Sequence, residues 1–391
     1  MPLRTALLGL SSHAKTSWAS TAHLPALTTP KGRSLFTITA LCNSSTEAAQ
    51  SAIDTYNLDP SVVKAYGTPE DLAADDEVDF VICTTRVDKH LETVLPSLRA
   101  GKGVYLEWPI AANLGDVERL VDVAAENRAD GKRNGVVAVG LQGRFAPPVL
   151  KVKEVLGSGV IGRLVSSEVR FFGGTNDREF LPPGLKYFAE RGVGGNVISI
   201  GFAHVIDLVQ SVVGDVIPGS EDVHFQLQRP SVRVRDPQTK EIVETIQSDV
   251  PDLVNLHGTL PESDHVSQGA SLITYFARGQ PYPGDPALTW TLTGERGAIR
   301  LVAPSGTSLQ ADAYAEPVTI SVHRFDTDQV EKVPWDWSAD QKEVAIRGRS
   351  VLSCLYSIGE GKDEYVSLED AARRARQVLG WLDSFYASSQ L

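Results

Sequence analysis

Two stretches of this sequence carry side chains of the kind that hold phosphates. The first is Gly9-Leu10-Ser11-Ser12-His13-Ala14-Lys15-Thr16-Ser17-Trp18, directly after a short apolar run. Small polar residues leading into a helix aim N–H groups at an anion such as a pyrophosphate. Lys15 adds a charge there or stays a solvated loop lysine. Trp18 stacks on a cofactor ring or forms an apolar lid. The second and third glycines of the dinucleotide fingerprint are missing, so this loop alone is a weak signal. The second stretch is Leu41-Cys42-Asn43-Ser44-Ser45, at the end of the next apolar run. An NAD site usually carries Asp or Glu here for the ribose hydroxyl. Its absence removes repulsion against a 2′-phosphate that Asn43 and Ser44 can bind. The expectation therefore tilts to NADP(H), with NAD(H) possible. Cys42, Cys83 and Cys354 are too few and too scattered for a zinc site or a disulfide framework, and no metal is expected.

The elements that must position these loops are legible in the first 140 residues. Apolar runs at Thr5–Gly9, Phe36–Leu41, Asp79–Cys83, Gly103–Leu106 and Val136–Gly140 read as strands. Helical patterns lie between them at Ser17–Leu27, Ser45–Tyr56, His90–Ala100 and Asn113–Asn127. Strands alternating with helices of this length imply right-handed βαβ units and a parallel sheet buried on both faces. Ligands of such a sheet bind at the carboxyl ends of its strands.

The second half changes character. Leu164–Phe172 alternates, with Val165, Ser167, Val169 and Phe171 on one face. Further strands are expected at Val223–Gln228, Leu253–Thr259, Gly269–Ala277, Ala287–Leu292, Ala298–Leu301 and Val318–His323. A largely antiparallel sheet follows, with a helix over Asn196–Val213 and a last helix over Leu368–Ser388. The fold class is α/β: a doubly wound Rossmann domain over 1–145, then an α+β substrate and dimerisation domain over 146–391. Pro147-Pro148 marks the boundary, since it cannot continue a strand.

The 391 residues carry 37 Lys+Arg against 49 Asp+Glu, a net charge of −12. That balance argues against a nucleic-acid backbone or an anionic membrane as partner. No run of about 18 apolar residues is present to span a membrane. A reducing, cytoplasmic setting is expected.

Taken in order, His23-Leu24-Pro25-Ala26-Leu27, Thr85-Arg86-Val87-Asp88-Lys89-His90, Glu107-Trp108-Pro109, Gly162-Arg163-Leu164, His204-Val205-Ile206-Asp207 and Thr293-Gly294-Glu295-Arg296-Gly297 resemble the glucose–fructose oxidoreductase/inositol dehydrogenase (Gfo/Idh/MocA) family. Leu106–Ala111, Leu141-Gln142-Gly143-Arg144 and the glycine-poor first loop resemble a subgroup that includes the yeast galactose-regulon repressor. The resemblance implies an NAD(P)-binding Rossmann domain and an open sheet that walls a small-molecule substrate and forms a homodimer. It implies cofactor contacts from Gly9, Leu10, Ser11, Lys15, Trp18, Asn43, Ser44, Thr84, Thr85, Arg86, His90, Glu107, Trp108 and Pro109. A cis bond before Pro109 is expected on the same ground.

The departures from the family pattern bear on chemistry. Trp108 stands where the family's Glu-Lys-Pro has lysine, and an indole cannot supply an ammonium. The family's Asp, four residues before the histidine, falls on Ile200, with Ser199 one further back. His204 is retained. Replacement acid–base groups are sought in the segment Asn176-Asp177-Arg178 through Lys186-Tyr187 to Arg191. A cation near Tyr187 lowers its phenol from about 10, although adjacent residues such as Lys186 point apart. The expected catalytic set is His204, Tyr187 and Lys186, with Arg144, Asn176 and Arg178 at the substrate. The expected activity is an NADP(H)-dependent oxidoreductase acting on a carbonyl or alcohol. The alternative is a dinucleotide-binding transcriptional regulator of low or no activity.

Overall fold

A computed structural model describes residues 1–12, 18–129, 135–173 and 177–388. The chain divides into two compact units. The first takes Met1–Gln142, Gly192–Gly195 and Ala339–Leu379. The second takes Gly143–Arg191, Asn196–Ser338 and Gly380–Leu391. The expected division into 1–145 and 146–391 misses the return of 339–379 to the first unit. That return supplies the helix Arg349–Gly359 and the strand Val366–Ser367.

The first unit is built on a seven-stranded sheet in the order Val366–Ser367, Val137–Val139, Gly103–Leu106, Phe80–Cys83, Leu3–Leu8, Phe36–Cys42, Lys64–Tyr66. Only the Val366–Ser367 edge runs antiparallel. The central strands are almost wholly buried, which is why they read as unbroken apolar runs. The strands Gly103–Leu106, Phe36–Cys42 and Phe80–Cys83 lie within a residue or two of their expected positions. The expected helix over Ser17–Leu27 is two pieces among the described residues, a π-helix at Ala19–His23 and an α-helix at Leu24–Thr28. Pro25 sits in the first turn of the second piece, where its missing N–H costs nothing.

The second unit is built on an eight-stranded sheet. Its order is Gln329–Val333, Thr319–Arg324, Gly297–Ala303, Leu288–Gly294, Leu164–Gly173, Val266–Arg278, Leu253–Thr259, Asp222–Gln226. Every pairing is antiparallel except that of Leu164–Gly173 with Val266–Arg278. Ser166 pairs with Thr293 and Leu164 with Gly294, so Val165 is the extra residue of a bulge. Val165 is consequently exposed, against the inward placement its spacing suggests. Pro147-Pro148 opens a helix, Pro147–Gly157, rather than a linker.

One face of this sheet carries the helix that matters for chemistry. Phe202 stacks on Phe171 with ring centroids 6.0 Å apart and meets Phe276 at 5.9 Å. All three rings are fully buried. Trp290 joins the same core and donates its indole N–H to Ser167 Oγ at 2.9 Å. A smaller sheet of Phe180–Leu181, Ser231–Arg235 and Ile242–Gln247, unforeseen from the sequence, lies in the same unit.

Candidate cofactor and catalytic sites

At the carboxyl ends of the first unit's strands, Gly9 adopts φ +91°, a conformation open to glycine. A Cβ there would meet Thr85 N and Cγ2 at 3.1 Å. The turn therefore packs directly on the Thr84-Thr85 loop. Thr84 Oγ1 donates to Leu8 O at 2.9 Å, tying the two loops together. Leu10 is fully buried. Its carbonyl accepts from Asn43 Nδ2 at 2.9 Å, and Asn43 also reaches Ala48 O at 3.3 Å. Ser11 O accepts from the Tyr56 hydroxyl at 2.9 Å. Asn43 thus spends its donors on the backbone, while Ser44 beside it is exposed. Ser45 caps the next helix through Ala48 N. On that helix's first turn, Glu47 is held below the usual carboxylate range by a backbone N–H and by the Ser45 hydroxyl. Lys15 lies outside the described residues.

The next two loops are braced by His90. Its ring is fully buried, with Nδ1 2.9 Å from Pro109 O and Nε2 2.9 Å from Thr85 O. It connects two strand-end loops rather than capping its helix. Burial pulls its pKa below 6.5. Arg86 turns outward and forks onto Asp88, with contacts of 2.5 and 2.7 Å. The Trp108–Pro109 peptide is cis. Glu107, just before it, bonds a side chain: His23 Nε2 lies 2.5 Å from Glu107 Oε1. His23 entered the sequence reading as a landmark alone, and nothing in the pattern announced that it reaches across 84 positions to this carboxylate.

These loops suit a dinucleotide. Trp18, leading out of the first loop, holds its indole N–H buried with no acceptor among the described residues. Gln142 holds its side-chain oxygen buried with no donor. A ligand rich in acceptors, with an amide donor, answers both needs.

The second unit holds the expected proton-handling residues. Asn196 caps the helix, accepting from Ile198 N and Ser199 N, and Ser199 Oγ accepts from Asn196 N at 3.0 Å. The first turns, Val197–Phe202, are π-helical; an α-helix, Ala203–Val213, carries His204 and Asp207. Arg144, on a short turn at Gln142–Phe145, grips Asp207 with contacts of 2.8 and 2.7 Å. The Asp207 side chain is 1% exposed. Arg144, expected at the substrate, places its guanidinium on the helix one turn beyond His204. Lys186 pairs with Glu244 at 2.6 Å. Tyr187 sits edge-on to Phe188 at 4.9 Å. Arg178 donates to the side-chain and backbone oxygens of Gln280 at 3.1 and 3.0 Å. Asn176 lies outside the described residues.

A Rossmann unit with a polar strand-end rim and an open-sheet unit with a pinned histidine helix define a class. Residues 4–130 match the oxidoreductase family with an NAD-binding Rossmann fold, and residues 147–303 match the Gal80p C-terminal domain. The likeness to the Gfo/Idh/MocA oxidoreductases covers the first of these two spans. Dehydrogenase aclE of Aspergillus oryzae is 26% identical over 381 residues, 96% of this chain and 94% of that protein. The galactose/lactose metabolism regulatory protein GAL80 of Saccharomyces cerevisiae is 29% identical over 265 residues. That match covers 66% of this chain and 58% of GAL80. A crystal structure of a super-repressor mutant of Saccharomyces cerevisiae Gal80p shares the fold. Its TM-score is 0.80 at 22% identity, covering 100% of this chain and 97% of that one. An oxidoreductase from Agrobacterium radiobacter, in complex with NAD+, L-tartaric acid and magnesium, gives 0.72 at 18% identity, covering 100% and 98%.

Proposed function

We propose that the chain is an oxidoreductase that moves a hydride between NADP(H) and a carbonyl or alcohol of a small organic molecule. The observation that carries this reading is the strand-end rim of the first unit, where the buried indole N–H of Trp18 lacks an acceptor among the described residues. The likeness to a dehydrogenase along 96% of the chain supports it. The nicotinamide, when bound, supplies the hydride. Gly9 and the Ser11 backbone shape the phosphate loop, and Ser44 takes the 2′-phosphate. NAD(H) is the second cofactor in order. His204 gives or takes the substrate proton, with Tyr187 as its partner; Arg144 acts on the helix through Asp207. Lys186, held by Glu244, does not enter the proton path. Three free, buried thiols suit a cytoplasmic setting.

The C-terminal likeness to Gal80p favours a second reading, a regulator that binds the dinucleotide and signals through a protein contact. Incubation with NADPH and a panel of carbonyl compounds separates the two. Oxidation of NADPH by any of them supports the enzyme; tight binding without turnover supports the regulator. Titration should show NADP(H) bound more tightly than NAD(H), and equal or tighter NAD(H) binding would sink that preference.

The assembly proposed with this reading is a homodimer through the outer face of the eight-stranded sheet. Ile273, 42% exposed, lies on that face among Tyr275 and Phe172. Wet apolar side chains on an open sheet favour a symmetric contact. Light scattering at micromolar concentration should give twice 42.2 kDa; a monomer counts against it.

A further inference from the structure

Glu107 closes the strand Gly103–Leu106 at the edge where a Rossmann sheet takes its ligand. Its side chain is 13% exposed, while that of its partner His23 is fully buried. A Cβ on Gly140 would meet Glu107 Oε2 at 2.5 Å, so a glycine there leaves the carboxylate its place. His23 stands edge-on to Tyr105, with ring centroids 5.2 Å apart. His23 Nδ1 is buried with no partner among the described residues. A buried N–H without an acceptor is rare, whereas a bare ring nitrogen needs no donor to the same degree. The contact is an Nε2–H donated to the carboxylate oxygen. The other titratable groups around Glu107 are Cys83, His90, Tyr105 and Cys354. Burial raises both thiols and the phenol, which keeps them neutral near pH 7, and pulls the His90 imidazole down against the carbonyls at its two nitrogens and the charge of Glu107, which favour its proton. Glu107 is the one carboxylate among these groups.

We infer that the Glu107 carboxylate, held by His23, biases the site toward the oxidised cofactor. The nicotinamide ring is cationic when oxidised and neutral when reduced. A fixed anion at the strand ends therefore favours the oxidised form in proportion to its Coulomb attraction. His23 is a positioning residue: it aims the carboxylate. The inference rests on the reading of a nicotinamide site.

The test is calorimetric titration of the whole chain with NADP+ and NADPH. Glu107→Gln keeps the acceptor for His23 Nε2 and removes the charge. It should weaken NADP+ relative to NADPH by at least about fivefold. His23→Gln retains the charge and should weaken both forms alike, with their ratio unchanged. Melting curves check that each variant folds, and a purely structural role for Glu107 predicts equal losses for both forms in Glu107→Gln. An unchanged ratio in a folded Glu107→Gln overturns the inference and leaves the cofactor reading standing. A ratio that moves in His23→Gln as far as in Glu107→Gln also overturns it. Failure of the unaltered chain to bind either form overturns the reading and the inference together.

Discussion

The first unit fixes its chemical edge with a carboxylate–imidazole pair, the second with a carboxylate–guanidinium pair. Glu107 and His23 meet at a single contact of 2.5 Å, and Asp207 and Arg144 meet at two, of 2.8 and 2.7 Å. A guanidinium stays charged at every working pH and grips both carboxylate oxygens in one plane. Such a clamp sets the rotation of the His204 helix once, without adjustment. An imidazole meets a carboxylate at one nitrogen, so its pair with Glu107 engages one carboxylate oxygen and leaves the other outside the contact. The difference separates a scaffold that must not move from a rim whose electrostatics can be tuned.

The comparison can be broken most directly by removing each charge. Asp207→Asn leaves a half-buried guanidinium with one good acceptor in place of two, and should cost about 3 kcal/mol of stability. Glu107→Gln keeps its hydrogen bond and should cost about 1 kcal/mol. Urea unfolding of both variants measures the two values, and a reversed order would refute the contrast. At the next level of effect, His204→Ala or Tyr187→Phe should lower kcat at least about tenfold. Cofactor affinity should stay nearly level in each, and single-turnover hydride transfer reads the step itself.

His90 sharpens the first unit's side of the comparison through pH. Its folded pKa lies below 6.5 because burial disfavours the imidazolium. As pH falls below about 6.5, the unfolded chain binds a proton that the folded chain refuses, and stability declines. The slope reaches about 1.4 kcal/mol per pH unit at most. Urea midpoints at pH 7.5, 6.5 and 5.5 should fall less steeply in His90→Gln. The smallest effect belongs to Glu47, an exposed carboxylate on the turn after Ser45. Glu47→Lys should raise NADP+ affinity about threefold over NAD+, the scale of an exposed charge pair.

Much of the Rossmann sheet was legible because parallel strands are buried on both faces and leave unbroken apolar runs. Phe80–Cys83 and Gly103–Leu106 are fully buried examples. The strand Val366–Ser367 and the hairpin strands Ser231–Arg235 and Ile242–Gln247 were not. Two residues make no period, Ile242–Gln247 is an exposed edge whose mixed polarity resembles a loop, and Ser231–Arg235, the middle strand, offers only Val232 and Val234 as buried positions between polar neighbours. The fate of Arg144 was not legible either, since a guanidinium aimed at substrate and one aimed at Asp207 share one sequence. The offset of Ser199 from the expected Asp position has a physical account. Ala203 N–H reaches back five residues to Ile198 O, and a π turn brings residues five apart onto one face. Ser199, five before His204, takes the place that α-helical counting assigns to Ile200.

The way the backbone shuttles between the two units has a practical consequence. It leaves the first unit after Gln142, re-enters for Gly192–Gly195, and comes back again for Ala339–Leu379. A fragment cut at the end of the sixth strand would lack the Val366–Ser367 edge and the helix Arg349–Gly359. It would leave Val137–Val139 as a bare border, ready to pair with another chain. The nucleotide-binding half is therefore not a cassette that one cleavage frees or one recombination event transplants. Inheritance, expression and proteolytic turnover should treat the two halves as a single good, which limited digestion followed by mass spectrometry can establish.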